Sequence, residues 1–186
     1  MKMKTLKLKE IVVIAMISIV MGVVSIGMDM IYTPITTLLG PIGGALVYGF
    51  YIISALLPLF IIRKPFAGIA GSLFTGVVNL LLGSPYGINI IVAAALQGLG
   101  VEIGALLGKY EKYNMIYLGI GSVLAMTFVT IRDYVVFGFG ELGPMMPLII
   151  AVRIVSSILL GAGLAILIGN ALKKTGALNG FEISKR

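Results

Sequence analysis

Six long apolar stretches, separated by short polar or turn-forming breaks, set the pattern of this chain. They run approximately over residues 11–30, 42–62, 66–82, 88–108, 115–131 and 146–172. At 1.5 Å per residue, each helix would cross or nearly cross the roughly 30 Å hydrocarbon layer of a bilayer. The runs are continuously apolar, without the alternation of outer-membrane strands, so they predict helices rather than a barrel. Turn chemistry marks the breaks: Thr33-Pro34, Gly40-Pro41, Arg63-Lys64-Pro65, Gly83 to Gly87, Lys109 to Asn114, and Gly138 to Pro147. The pattern predicts an all-α membrane protein of six transmembrane helices, forming one domain over residues 1–186. The basic stretch Met1 to Glu10 precedes an apolar run of full span length with no small-residue cleavage motif, so it reads as the entry to a first span.

Composition agrees with a bilayer. The chain is 59% hydrophobic and only 11% charged, far from the roughly quarter-charged balance of soluble domains. Its net charge of +7 is not arranged as a basic stripe interleaved with aromatics, which argues against nucleic acid. Twelve of the fourteen basic residues, Lys2, Lys4, Lys7, Lys9, Arg63, Lys64, Lys109, Lys112, Lys173, Lys174, Lys185 and Arg186, fall on one side of a six-span arrangement. The positive-inside rule makes that side cytoplasmic and puts both termini there. Arg132 and Arg153 are the exceptions and need a separate explanation. With neither Cys nor His, the chain has no thiol or imidazole metal ligand, no Ser-His-Asp triad and no Cys nucleophile. It also carries no Walker A motif, dinucleotide fingerprint or zincin helix, so no cofactor is expected and ATP hydrolysis would need a partner.

Ionisable groups inside a span cost about 2.5–3.5 kcal/mol and mark either a pair or a pathway. Glu102 and Arg153 are the two here, read either as one buried ion pair or as groups facing a polar cavity. Gln97 and Asn89 lie two turns apart and roughly on one side of the fourth span, with Asn79 near the outer end of the third. Lone amides also bond neighbouring helices, so packing competes with a ligand role. The aromatics Tyr32, Tyr86, Tyr134, Phe137 and Phe139 gather toward the outer side, close to Asp133 and Glu141, and suit a flat cationic solute as well as an interfacial belt. Small residues recur at packing intervals, notably Ala15, Ser18, Gly22 and Ser25 on the first span. That stripe serves either intramolecular packing or contact with another membrane subunit.

Three blocks, Ile62 to Pro65, Leu81 to Asn89 and Gln97 to Glu102, resemble the YkoE family, together with the six-span layout, the Leu-Lys-Glu entry to the first helix and the region of Arg153. Members of that family are S components, the membrane-embedded substrate-binding subunits of energy-coupling-factor (ECF) transporters for thiamine or its hydroxymethylpyrimidine precursor. The resemblance implies a plasma-membrane protein of a prokaryote that binds the vitamin from outside. A transmembrane coupling subunit and cytoplasmic ATPases would drive release inside. It also implies a docking stripe of the form Ala-x-x-x-Ala on the first helices. Here Ser18-x-x-x-Gly22 with Ala15 stands instead, and Tyr86 occupies a position where Trp is expected. Asn79, Tyr86, Asn89, Gln97, Glu102, Asp133, Tyr134 and Arg153 are the candidate ligand residues, since amides and carboxylates match an aminopyrimidine and aromatic faces match a thiazolium. Two other readings remain: a structural or assembly subunit of a membrane complex, and an S component for another flat vitamin. An intramembrane enzyme built on Glu102 and Arg153 is disfavoured, because no second carboxylate or nucleophile lies at matching depth.

Overall fold

A computed structural model describes residues 5–185, so Lys2, Lys4 and Arg186, like the side chain of Lys185, lie outside the described residues. Every regular element among the described residues is helical. In chain order they are α1 (Leu8–Leu39), α2 (Pro41–Val47), α3 (Gly49–Ile62), α4 (Ala67–Leu81), α5 (Asn89–Leu107), α6 (Met115–Val136), a 3-10 segment (Phe139–Met145), α7 (Met146–Ser156), a π-helical segment (Ser157–Gly163) and α8 (Leu164–Lys174). A final 3-10 turn covers Glu182–Lys185. Five stretches are long and apolar enough to cross a membrane: α1, α2 with α3, α5, α6, and Phe139–Lys174; α4 is a shorter apolar sixth. The all-helical membrane fold expected from the pattern is therefore present.

The second span is the centre of the bundle. Nearly four fifths of its most apolar window is buried, against 28% for α1. Every residue from Ile52 to Ile62 on α3 is buried, as expected for a helix that is apolar all round. On α1, by contrast, Val12, Met16, Ile19, Val20 and Val23 stand exposed as a lipid-facing surface. Lipid tails are as apolar as Leu, so tight packing and small residues, not burial from water, hold such a bundle together. At the α5–α6 crossing, a Cβ added to Gly100 would lie 2.2 Å from the Ala125 nitrogen, and one on Gly104 would lie 2.4 Å from Gly121 Cα.

Several boundaries differ from those the pattern predicts. The first span does not stop at Thr33-Pro34 but continues through Pro34 to Leu39. Thr36 and Thr37 donate their hydroxyls to the Tyr32 and Thr33 carbonyls at 2.9 and 2.8 Å, bonds back to the preceding turn of the kind helical threonines make. The helix ends at Gly40, whose φ of +66° a side chain would resist, and Pro41 opens α2. The fifth span runs on to Val136, which makes Arg132 and Asp133 helical. The second span is bent between α2 and α3. There Ser156 Oγ donates to the Leu46 carbonyl (2.7 Å) and accepts from the Gly49 N–H (2.9 Å), so a hydroxyl from the sixth span is inserted into the ladder, a recognised cause of a kink.

The small-residue stripe of α1 is used inside the fold. Ser18 Oγ donates to the Gly71 carbonyl at 3.0 Å, a Cβ on Gly22 would lie 2.4 Å from Val78, and Ser25 is buried, while Ala15 is half-buried. In this conformation Ser18, Gly22 and Ser25 therefore pack against α4 and its neighbours rather than presenting a free docking face.

The two ends of the bundle are chemically different. At one, Lys64 makes a buried ion pair with Glu10 (2.8 Å) and donates to the Thr5 carbonyl. Lys9 reaches the Gly180 carbonyl and Arg63 stacks on Tyr113. This gathers the N-terminus, the α3–α4 turn, the α5–α6 turn and the C-terminal segment into one basic end. The opposite end holds Asp29, Tyr51, Tyr86, Asp133 and Arg153.

Candidate functional site

That opposite end contains a cavity of about 230 Å³. Tyr32 of α1 and Tyr48 and Tyr51 of the bent second span supply one wall; Ile90, Ala93 and Gln97 of α5 supply another. Val129, Arg132 and Asp133 of α6 line it too, with Tyr86 from the α4–α5 turn, Phe137 and Phe139 beyond α6, and Arg153 of α7. Tyr48 stands at the break between α2 and α3 and so faces this space from the joint itself.

Asp133 is the electrostatic hinge of the site. Its Oδ2 accepts from Arg153 Nη1 at 2.9 Å and its Oδ1 from Arg132 Nη2 at 2.9 Å. Thr130 lies one turn before Asp133 on the same face of α6, and its hydroxyl accepts a second bond from Arg153 Nη1 at 3.0 Å. The Arg153 guanidinium is held between two rings, 4.6 Å from the Tyr48 centroid and 4.4 Å from that of Phe139. Arg132 stacks on Phe137 at 5.1 Å and donates to the Asn89 carbonyl at 3.1 Å. The two exceptions to the charge rule are thus explained: both serve one carboxylate at the cavity.

A second carboxylate, Asp29, lies beside the cavity. It accepts from Tyr51 Oη (2.9 Å), Asn79 Nδ2 (3.2 Å) and Ser84 Oγ (3.2 Å). The shortness of α4 makes this possible. Its 15 residues rise about 22 Å, short of a roughly 30 Å layer, so the following turn is drawn inward. Non-helical backbone at such depth is tolerated where it lines a cavity.

Of the residues predicted from sequence, Tyr86, Gln97, Asp133 and Arg153 line the cavity. Asn79 stands behind it, holding Asp29. Asn89 touches the site through its backbone carbonyl alone among the bonds described. Tyr134 points away and is 56% exposed. Glu102 is at the basic end: it accepts from the Gly68 N–H at 2.8 Å and from the Tyr110 hydroxyl. It therefore supplies the start of α4 with the anionic cap that Phe66 cannot give. The partner of Arg153 is Asp133, not Glu102. Burial and the Glu102 carboxylate push the Tyr110 phenol up, which keeps it a donor. Glu102→Gln is expected to lower stability by ~1 kcal/mol while ligand affinity stays within about threefold. A tenfold loss of affinity at unchanged melting temperature would put Glu102 back in the binding machinery.

Sequence reasoning passed over Tyr48, Tyr51 and Arg132 as ligand candidates and gave Asp29 no partners. The spacing of Tyr48 and Tyr51, three apart on one helical face, was an available signal. Their value depends on the bend, which comes from a serine 107 residues from Gly49.

A helical membrane bundle with an aromatic, charge-paired cavity at one end has the form of a solute-binding membrane component. The comparisons agree. A family model described as "ABC-type cobalt transport system, permease component" matches residues 9–128. The chain is 34% identical over 187 residues to the "Putative HMP/thiamine permease protein YkoE" of Bacillus subtilis (strain 168), covering 98% of this chain and 92% of that protein. It superposes on a crystal structure of an S-component of an ECF transporter with a TM-score of 0.94 and 30% identity, covering 97% of this chain and 92% of the other. The chain belongs to the YkoE family of ECF transporter S components, multi-pass membrane subunits that work with a ligand and transporter partners.

Proposed function

We propose that this chain is the single-domain substrate-binding subunit of an importer for thiamine or its hydroxymethylpyrimidine precursor, driven by a transmembrane coupling subunit and cytoplasmic ATPases. The observation that carries the reading is the cavity. Its aromatic walls suit a flat heterocycle, and its amide, phenol and guanidinium groups suit ring nitrogens and a hydroxyl. The name of the Bacillus subtilis relative supports the same ligand class. Cobalt, named by the family model, fits less well: the chain has no His or Cys, and Asp133 is already held by two guanidinium groups. Tyr86, Gln97, Asp133 and Arg153 are the ligand residues of this proposal, joined by Tyr48, Tyr51 and Arg132. Clustering of lysines at the other end supports an orientation with both termini cytoplasmic and the cavity outside. An assembly subunit would need no cavity of this kind.

The test is calorimetric titration of the detergent-purified chain with thiamine, hydroxymethylpyrimidine, riboflavin and biotin. Binding of either of the first two at micromolar dissociation constants or tighter, about −8 kcal/mol, is the expected result. Heat with riboflavin or biotin alone would assign another flat vitamin, and silence toward all four in a folded sample would favour the assembly role.

A further inference from the structure

Beside the main cavity lies a smaller chamber of about 20 Å³. The two spaces share Tyr51, Ile90, Ala93 and Gln97 as walls, so they are neighbours. Gly76 makes the chamber's α4–α5 wall close, since a Cβ there would lie 2.9 Å from Ala94 Cβ. A volume of this size holds one water molecule or one group of similar bulk.

Two wall residues carry buried polar atoms without a hydrogen-bond partner: Thr75 Oγ1 and Asn79 Oδ1. Their residues are 4% and 1% exposed. Asn79 is fixed in orientation because its Nδ2 donates to the Asp29 carboxylate, which leaves its oxygen as the unsatisfied acceptor. Thr75 has lost the partner a helical threonine usually takes one turn back: the Gly71 carbonyl accepts from Ser18 instead. The Ser54 and Ser72 hydroxyls donate to the Tyr51 and Ile69 carbonyls, so toward the chamber they too offer lone pairs. Asn79 Oδ1 is therefore a fixed, unmatched acceptor on the chamber wall, and the unmatched Thr75 hydroxyl beside it can accept or donate. Leaving such groups unmatched is costly in a low-dielectric interior.

We propose that this chamber is a recess for the exocyclic amine of the ligand, with Asn79 selecting an aminopyrimidine over its oxo counterpart and Thr75 adding a second hydrogen bond. The inference rests on the vitamin-binding reading above and adds to it an orientation: amine toward the chamber, the rest of the molecule among the rings of the main cavity. An amine brings one N–H to Asn79 Oδ1 and a second to a lone pair of the Thr75 hydroxyl. A ring carbonyl in the same place could accept from Thr75 but would set its oxygen against Asn79 Oδ1, acceptor against acceptor.

Thiamine and its 4-oxo analogue, oxythiamine, separate the possibilities when titrated into the detergent-purified full chain and into a Thr75→Val variant. In the native chain thiamine should bind ~100-fold more tightly than oxythiamine, as expected where a site is built to hydrogen-bond the group removed. In Thr75→Val thiamine should bind about tenfold more weakly, while the preference over oxythiamine, set by Asn79, remains. Oxythiamine binding within threefold of thiamine to the native chain would overturn the recess and leave the chamber as a water site; that comparison stands even if the variant fails to fold. Silence toward both compounds in a folded sample overturns the vitamin reading itself.

Discussion

Asp133→Ala is expected to abolish measurable vitamin binding and to destabilise the cavity end of the bundle. The carboxylate is the shared counter-ion of Arg132 and Arg153, whose side chains are only 13% and 5% exposed. Removing it leaves two guanidinium groups facing one cavity without a counter-charge. Breaking a buried pair from one side costs about 3–5 kcal/mol, and in this case the damage is doubled because both cations lose the same partner. Affinity should fall by at least ~100-fold, read by calorimetry beside a thermal melt. Asp133→Asn, which keeps the shape and one acceptor, should retain more affinity than the alanine variant. Native affinity in Asp133→Ala would mean that the cluster is structural and the ligand sits elsewhere.

Gly100→Val should have the largest effect on folding. The site that a Cβ would occupy is 2.2 Å from the Ala125 nitrogen and 2.4 Å from its Cα, and backbone cannot move aside as a flexible side chain can. α5 and α6 would have to separate along their whole crossing, taking Gln97 away from Asp133. The expected outcome is a chain that fails to give a monodisperse detergent sample. Gly27→Ala is the control: its added Cβ meets nothing within 4 Å, and replacing glycine within a helix should stabilise by ~1 kcal/mol. If Gly100→Val melted like the native chain, the close crossing would be wrong.

The six spans were legible because a bilayer demands continuous apolar runs of set length, and that demand is written in the residues themselves. The boundaries were less so. Thr33-Pro34 has the chemistry of a break, yet the helix continues to Leu39, because a proline removes a single ladder bond and a membrane span tolerates that loss. Glu102 shows the limit for the site. A carboxylate within a span signals a special environment, but the environment here is the start of α4, 34 residues away, a contact no local pattern reveals. Asp133 and Arg153 were each found from their chemistry, whereas their pairing needed the fold. The stripe of Ala15, Ser18, Gly22 and Ser25 left partner contact and internal packing open from sequence, and that Ser18 and Gly22 meet α4 needed the fold.

Ser156 has a consequence for how affinity is controlled. Its hydroxyl bridges Leu46 and Gly49 across the bend, and the bend carries Tyr48 and Tyr51 to the ligand space, although Ser156 is not part of the cavity lining. Under the proposed function, ligand occupancy and the integrity of this joint between the second and sixth spans should therefore be coupled. By reciprocity, whatever the joint contributes to holding the ligand, the bound ligand returns in holding the joint closed.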